Sequence, residues 1–211
     1  HRCMNRCTRN FYEESVHIRK MKLRAARGGY DTVLQGHMTG TKDKGKVAII
    51  GAGPAGIAAA YFLARAGTDV TIFEKKEVLG GVVRHVIPEF RISTEDVMKD
   101  VAFLERLGVH IEVNSHIGSI QEVKDRGFHN IIVAIGAEKE GILPMKAGSA
   151  INAITFLEDF KNTDGIMDIG EQVVVVGGGN TAMDTARAAI RVDGVEKVTL
   201  IYRRTKRYMP A

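Results

Sequence analysis

The stretch VAIIGAGPAG, residues 47–56, limits the folds open to this chain more than any other feature. Four apolar residues run directly into Gly51-Ala52-Gly53-Pro54-Ala55-Gly56, the pattern G-x-G-x-x-G, and an alanine-rich run to Ala66 follows. A short apolar run bounded by glycine reads as a buried strand, Lys46–Ile50, and the alanine-rich run as a helix, Pro54–Ala66, stopped by Gly67. A glycine turn joining a strand to a helix is a dinucleotide-binding arrangement. Gly51 permits the tight turn, Gly53 leaves room for a pyrophosphate at the backbone, and Gly56 lets helix and strand lie close. The helix N-terminus at Pro54 and Ala55 offers free N–H groups and a partial positive charge. The second strand, Val70–Phe73, closes on Glu74, at the spacing of about 20 residues where an acid accepts hydrogen bonds from ribose hydroxyls.

The same design recurs at Gly177-Gly178-Gly179-Asn180-Thr181-Ala182, after the strand Gln172–Val176 and before a helix spanning about Thr181 to Arg191. Here the second strand, Lys197–Tyr202, ends on Arg203 and Arg204 in place of an acid. A carboxylate would repel a phosphate on the ribose 2′ position, whereas guanidinium groups pair with it. The second site therefore reads as one for NADPH, with Arg207 as a third contact. At the first site Gly80-Gly81 follows Glu74 closely and suggests FAD, since a glycine pair lets backbone approach a deep cofactor. The run IIVAIGA, residues 131–137, adds a strand ending in a small-residue turn at Gly136.

The rest of the chain supplies framework. Residues 12–28 read as a helix stopped by Gly28-Gly29, and residues 36–45 as a polar linker. Residues 80–93, with Pro88, read as irregular. Ser93 caps a helix carrying Val97, Val101, Leu104 and Leu107, with Asp96 supporting the cap and Gly108 ending it. Residues 109–113 and 130–135 read as strands, and residues 149–161 as a helix. Alternation of strands and helices argues for parallel sheets.

Composition decides what surrounds these sites. The 211 residues are 45% hydrophobic, ordinary for a globular chain, and no apolar run reaches the roughly 20 residues that span a bilayer. The net charge of +5 comes from Lys and Arg spread along the chain, with only 6% aromatic residues, so no nucleic-acid partner is expected. Charges stud residues 1–28 and exclude a signal peptide, and a cytoplasmic setting is expected. The first residue is His1 rather than Met, the mark of a fragment or a processed product. Cys3 and Cys7 are either two free thiols or half of a metal or iron–sulfur site. No cysteine lies between residues 8 and 211, which excludes a disulfide reductase with its own dithiol.

Taken in order, C-x3-C with a short helix, GAGPAG, FEKKEVLGG, IPEFRIS, AIGA, GGGNTAMD and YRRTKRYMP resemble the NADPH- and FAD-binding portion of the glutamate synthase small subunit and dihydropyrimidine dehydrogenase family. The resemblance covers nearly the whole chain. It implies an α/β, FAD/NAD(P)-binding Rossmann-like fold with two dinucleotide-binding units and a short N-terminal helical iron–sulfur segment. The implied division is residues 1–35 as the end of that segment, a linker at 36–45, the first part of an FAD domain at 46–150, and the first part of an NADPH domain at 151–211. It implies FAD contacts at Gly53, Pro54, Ala55, Gly56, Glu74, Val82, Arg91 and Ile117, alongside Gly51, Gly81 and Gly136. It implies NADPH contacts at Gly178, Gly179, Asn180, Thr181, Arg203, Arg204 and Arg207, alongside Gly177. Cys3 and Cys7 match the last two cysteines of a [4Fe–4S] site. Some relatives place a Gln or Glu ligand on the following helix, where this chain has Lys22, whose ammonium does not ligate. The implied activity is electron input: NADPH reduces FAD, and electrons pass through iron–sulfur clusters to a partner subunit or domain, with no acid–base residue demanded. Alternatives are a cluster-free NADPH-dependent flavin reductase and a non-catalytic dinucleotide-binding module. The relatives continue past the end of this chain, so the piece alone is expected to bind FAD poorly.

Overall fold

A computed structural model describes residues 2–36, 42–137, 141 and 143–211. The chain divides into two compact units, His1–Gly40 and Thr41–Ala211. The first contains α1 (Arg2–Asn5), a 3₁₀ turn at Thr8–Phe11 and α2 (Ile18–Gly36). The helix expected over 12–28 thus starts later and runs straight through Gly28-Gly29. Neither glycine has a positive φ, and each costs only about 1 kcal/mol in a helix interior relative to Ala, so the pair weakens the helix without ending it. The linker expected at 36–45 falls in part on residues 37–41, outside the described residues.

The second unit opens with β1 (Lys46–Ile50), α3 (Pro54–Arg65) and β2 (Asp69–Phe73). It continues through α4 (Gly81–His85), α5 (Thr94–Arg106), β3 (His110–Glu112), α6 (Ile120–Asp125) and β4 (Asn130–Val133). These strands form one parallel sheet in the order β3-β2-β1-β4. Its central strand β1 pairs Ile50 with Phe73 on one side and with Val133 on the other, so three strands end level. Ile49, Ile72 and Val70 are fully buried and pack with Ala60 and Ala64 of α3 and Leu104 of α5. Each such aliphatic side chain removed from water contributes about 1.5–3 kcal/mol. Ser93 caps α5 by accepting from the Asp96 N–H, as its spacing predicts. The structure differs at two places: α4 lies within the stretch expected to be irregular, and α6 has no counterpart in the sequence reading. Both are too short for a 3.6-residue period to show; α6 is set by its Ser119 cap and by Val123, fully buried against the sheet.

The remaining elements are α7 (Ala153–Asn162), β5 (Gln172–Val176), α8 (Asn180–Ala189) and β6 (Lys197–Ile201), then a 3₁₀ turn at Lys206–Tyr208. Strands β5 and β6 form a separate parallel pair. Phe156 and Leu157 of α7 pack with Ala188 and Ala189 of α8, and Val86 and Phe90 from the stretch after α4 join the same cluster. The second βαβ unit is thereby packed against a loop that belongs to the first.

Candidate nucleotide-binding sites

At the first site three turns meet at the carboxyl ends of β1, β2 and β4, where ligands bind in open parallel sheets. Gly51 has φ 100°, and a Cβ there would lie 2.5 Å from the Ala134 carbonyl oxygen. Its N–H donates to the Phe73 carbonyl at 2.8 Å, and the Ala134 N–H donates to Ile50 at 2.8 Å. The turn containing Gly136, φ 75°, therefore abuts the fingerprint. A Cβ on Gly56 would lie 2.0 Å from the Gly51 carbonyl oxygen, so helix and turn meet here without space for a methyl. Gly53 stands at the N-cap of α3 with no side chain capping the helix. The first-turn N–H groups are left for a ligand oxygen.

Gly81 has φ 52°. A Cβ on it would lie 2.8 Å from the Gly53 Cα, and the Gly80 N–H donates to Ala52 at 2.8 Å. The glycine pair lets this turn seat on the fingerprint turn, backbone against backbone. Glu74 is buried and braces the same junction: one carboxylate oxygen accepts from the Ala52 N–H at 2.7 Å, the other from the Lys76 N–H at 2.9 Å. An ionised carboxylate has about four acceptor positions, so both oxygens retain capacity for ribose hydroxyls. The uncapped helix, glycine cradle and anchored carboxylate suit a diphosphate-linked dinucleotide. Val82 is exposed beside the turn, and Ile117 is half-buried against the cluster of Ala48, Ile50, Phe73 and Val123.

Arg91 pairs with α8. Its guanidinium donates to the Asp184 carboxylate at 2.7 Å, and the Asp184 side chain is 7% exposed. The other Asp184 oxygen is buried without a partner. Phe90 is flanked by the guanidinium groups of Arg187 and Arg191, each 4.5 Å from its ring centroid. Residues 184, 187 and 191 lie along one face of α8 and its extension, so the loop Pro88–Ile92 is clasped onto the helix that follows the second fingerprint. Lys76 adds an ion pair to Glu158 of α7, and Lys161 of α7 donates to the Ile87 carbonyl at 2.9 Å. Burial pushes the Lys161 ammonium down from its usual value, while the nearby Glu89 carboxylate holds it up. Sequence reasoning met Asp184 only as the last residue of GGGNTAMD and gave it no role, because nothing local marks a partner 93 positions earlier.

At the second site Gly177 has φ 147°, and a Cβ there would meet the Ala182 methyl at 3.0 Å. Ala182 is accommodated where the first site admits only glycine. Gly179 is the uncapped N-cap of α8, and Asn180 and Thr181 are exposed on its first turn. Gly178 is buried against the ring of Tyr202. Arg203, Arg204 and Arg207 are all exposed just beyond β6.

In the N-terminal unit Cys3 is exposed and Cys7 half-buried. Backbone hydrogen bonds from Val16 and then Arg9 hold the Cys7 thiol below its ordinary range. This favours the thiolate, the form that binds iron. Two thiols are half of a four-cysteine set, and no group of three or more His, Cys, Asp or Glu residues gathers among the described residues.

The pyridine nucleotide-disulphide oxidoreductase family model matches residues 45–211. Over its full length the chain is 44% identical to YgfK of Escherichia coli (strain K12), covering 21% of that protein. Over 99% of its length it is 32% identical to the NAD-dependent dihydropyrimidine dehydrogenase subunit PreT of the same strain, covering 51% of it. Over 100% of its length it is 34% identical to the NADPH-Fe(3+) oxidoreductase subunit beta of Geobacter sulfurreducens, covering 33% of it. Among solved structures, FprA from Mycobacterium tuberculosis superposes with a TM-score of 0.66 at 22% identity, over 78% of this chain and 45% of that one. The chain thus spans about a fifth to about half of these curated relatives' length. No helix among the described residues is long and apolar enough to cross a membrane.

Proposed function

From the premise that this chain belongs to the pyridine nucleotide-disulphide oxidoreductase family, we propose that it is the electron-input part of a longer oxidoreductase. FAD is held at the first fingerprint by the Gly51–Gly56 turn, the α3 N-terminus and Glu74, with Gly81, Val82, Arg91, Ile117 and Gly136 around it. NADPH docks at the second through Gly177–Thr181 and Arg203, Arg204 and Arg207. The observation that carries this reading is the charge at the two matching strand ends: a buried, twice hydrogen-bonded carboxylate at Glu74, and two exposed guanidinium groups at Arg203 and Arg204. The first suits ribose hydroxyls and the second a 2′-phosphate.

Bound FAD would take hydride from the nicotinamide and release electrons singly, so the chain needs to align two rings rather than supply an acid or a base. What the residues do is bind and orient, and the Arg91–Asp184 and Phe90 clasp ties the two sites into one frame. Cys3 and Cys7 supply two ligands of a [4Fe–4S] cluster that carries the electrons onward, the other ligands coming from outside this pair. The lowered Cys7 thiol supports this. The electrons then leave to a partner subunit or a further domain, in the cytoplasm. The Geobacter relative is named for NADPH and PreT for NAD, and the arginines favour NADPH here.

The test is an anaerobic titration of the full-length protein, following flavin absorbance with NADPH and separately with NADH. Bleaching at much lower NADPH concentration is the expected result. Bleaching by NADH alone overturns the arginine assignment and leaves the flavin one, and no bleaching by either overturns the electron-input reading. Iron and sulfide analysis of the same sample separates the cluster-bearing enzyme from a cluster-free reductase.

A further inference from the structure

The geometry points to Tyr202 as a positioning residue that sets nucleotide choice at the second site. Its ring supports the glycine turn, and its hydroxyl holds the segment bearing Arg207 beside Arg203 and Arg204. This rests on the NADPH reading above and extends it to a residue placed in no cofactor contact.

Three observations carry it. First, a Cβ on Gly178 would lie 2.7 Å and 2.8 Å from the Cδ2 and Cε2 atoms of Tyr202. The middle glycine of the fingerprint is thus in contact with this ring, a use separate from leaving room for a pyrophosphate. Second, the Tyr202 hydroxyl donates to the Tyr208 carbonyl at 3.1 Å. The residues it spans include Arg203, Arg204 and the 3₁₀ turn Lys206–Tyr208, which carries Arg207. Third, the Ala211 N–H donates to the Gly178 carbonyl at 3.3 Å. Residues 202–211 therefore leave Gly178 at the ring and return to it at the backbone.

The loop so closed carries four cations, Arg203, Arg204, Lys206 and Arg207. Their mutual repulsion opposes closure. Inside the loop the Thr205 carbonyl accepts from the Tyr208 N–H at 2.9 Å and the Lys206 carbonyl from the Met209 N–H at 3.2 Å, but these bonds only shape the turn. The Tyr202 hydroxyl ties the turn back to the strand end through a side chain, nearer to Arg207 than the backbone bond from Ala211 to Gly178. Without it the Arg207 segment swings outward under the repulsion, and the positive charge at the strand end spreads. A 2′-phosphate is bound directly by charge gathered in advance, whereas a nucleotide with a free 2′-hydroxyl gains less from it, its phosphates lying farther off.

The test uses full-length protein carrying Tyr202→Phe, which keeps the ring against Gly178 and deletes only the hydroxyl. The probes are adenosine 2′,5′-bisphosphate and ADP, with dissociation constants measured by calorimetry, and the NADPH and NADH KM values alongside. One net hydrogen bond of about 1 kcal/mol corresponds to about a fivefold change. The expected result is a fall of about fivefold in the preference for the bisphosphate over ADP, matched in the KM ratio. An unchanged ratio, whether affinities hold or both weaken together, overturns the proposal, because a merely structural residue would move both probes alike. Arg203→Ala with Arg204→Ala, measured in parallel, separates the two levels. If that pair leaves bisphosphate binding unaltered, the NADPH reading itself fails. If it weakens binding while Tyr202→Phe does not, only the role of Tyr202 is lost.

Discussion

Removing Arg91 should loosen the clasp far more than neutralising its partner. The Asp184 side chain is 7% exposed, the Arg91 side chain 37%. In Arg91→Ala the carboxylate stays buried and loses the Arg91 bond, and its second oxygen already has no partner among the described residues. Stripping a partner from a fully buried pair costs about 3–5 kcal/mol. Solvent reaches the Arg91 side of this one, so about 2 kcal/mol is expected. Asp184→Asn removes the buried charge, keeps a carbonyl that can accept from Arg91, and should cost less than about 1 kcal/mol. The assay is amide hydrogen exchange on FAD-free full-length protein, so that altered flavin binding does not enter. The reporters are Arg91 and Ile92, whose N–H groups donate to the Pro88 carbonyl at 2.9 and 3.3 Å. A cost of 2 kcal/mol raises local opening by about 30-fold, and 1 kcal/mol by about fivefold. Equal acceleration in both variants, or none in either, would refute the idea that this ion pair holds the loop to α8.

Gly56→Ala should abolish FAD retention and lower Tm by several degrees, because the new methyl would lie 2.0 Å from a backbone oxygen that cannot move away cheaply; normal flavin content after gel filtration would contradict this. Glu74→Gln turns one buried acceptor into an NH2 facing a backbone donor. It should cost about 1–3 kcal/mol and be read as flavin lost on dialysis, whereas Asn180→Ala, on the exposed first turn of α8, should leave flavin content intact. The Cys7 thiol is held low by N–H groups of Val16 and Arg9. Its thiolate is therefore present at lower pH than that of a free thiol, and in iron-free protein the midpoint of its alkylation rate against pH should lie below that of N-acetylcysteine methylamide. A midpoint at or above that reference would remove the support from those two donors.

Much of the first site was legible because its signals are local. A buried strand, a glycine turn and a helix start lie within residues 46–56, and only glycine fits at positions 51 and 56, where a Cβ would lie 2.5 Å and 2.0 Å from a backbone oxygen. The Ser93 cap, the apolar face of α5 and the glycine stops at Gly67 and Gly108 are likewise decided by neighbours in sequence. Where the reading missed, the signal was short or overridden: α6 is six residues long, and Gly28-Gly29 lowers the propensity of α2 without forcing the left-handed conformation that ends a helix.

The sequence by itself determined two parallel βαβ units, their glycine turns and the opposite charges at their second strand ends, since period, turn chemistry and charge are written in adjacent residues. Tertiary structure alone decided what those residues touch. It set the Gly80-Gly81 turn on the fingerprint turn, gave Arg91 a buried carboxylate 93 positions away, stacked Phe90 between two arginines of a later helix, and laid Tyr202 against Gly178. Such pairings depend on how the sheets and helices pack in three dimensions, and side-chain identity along the chain carries no record of that distance.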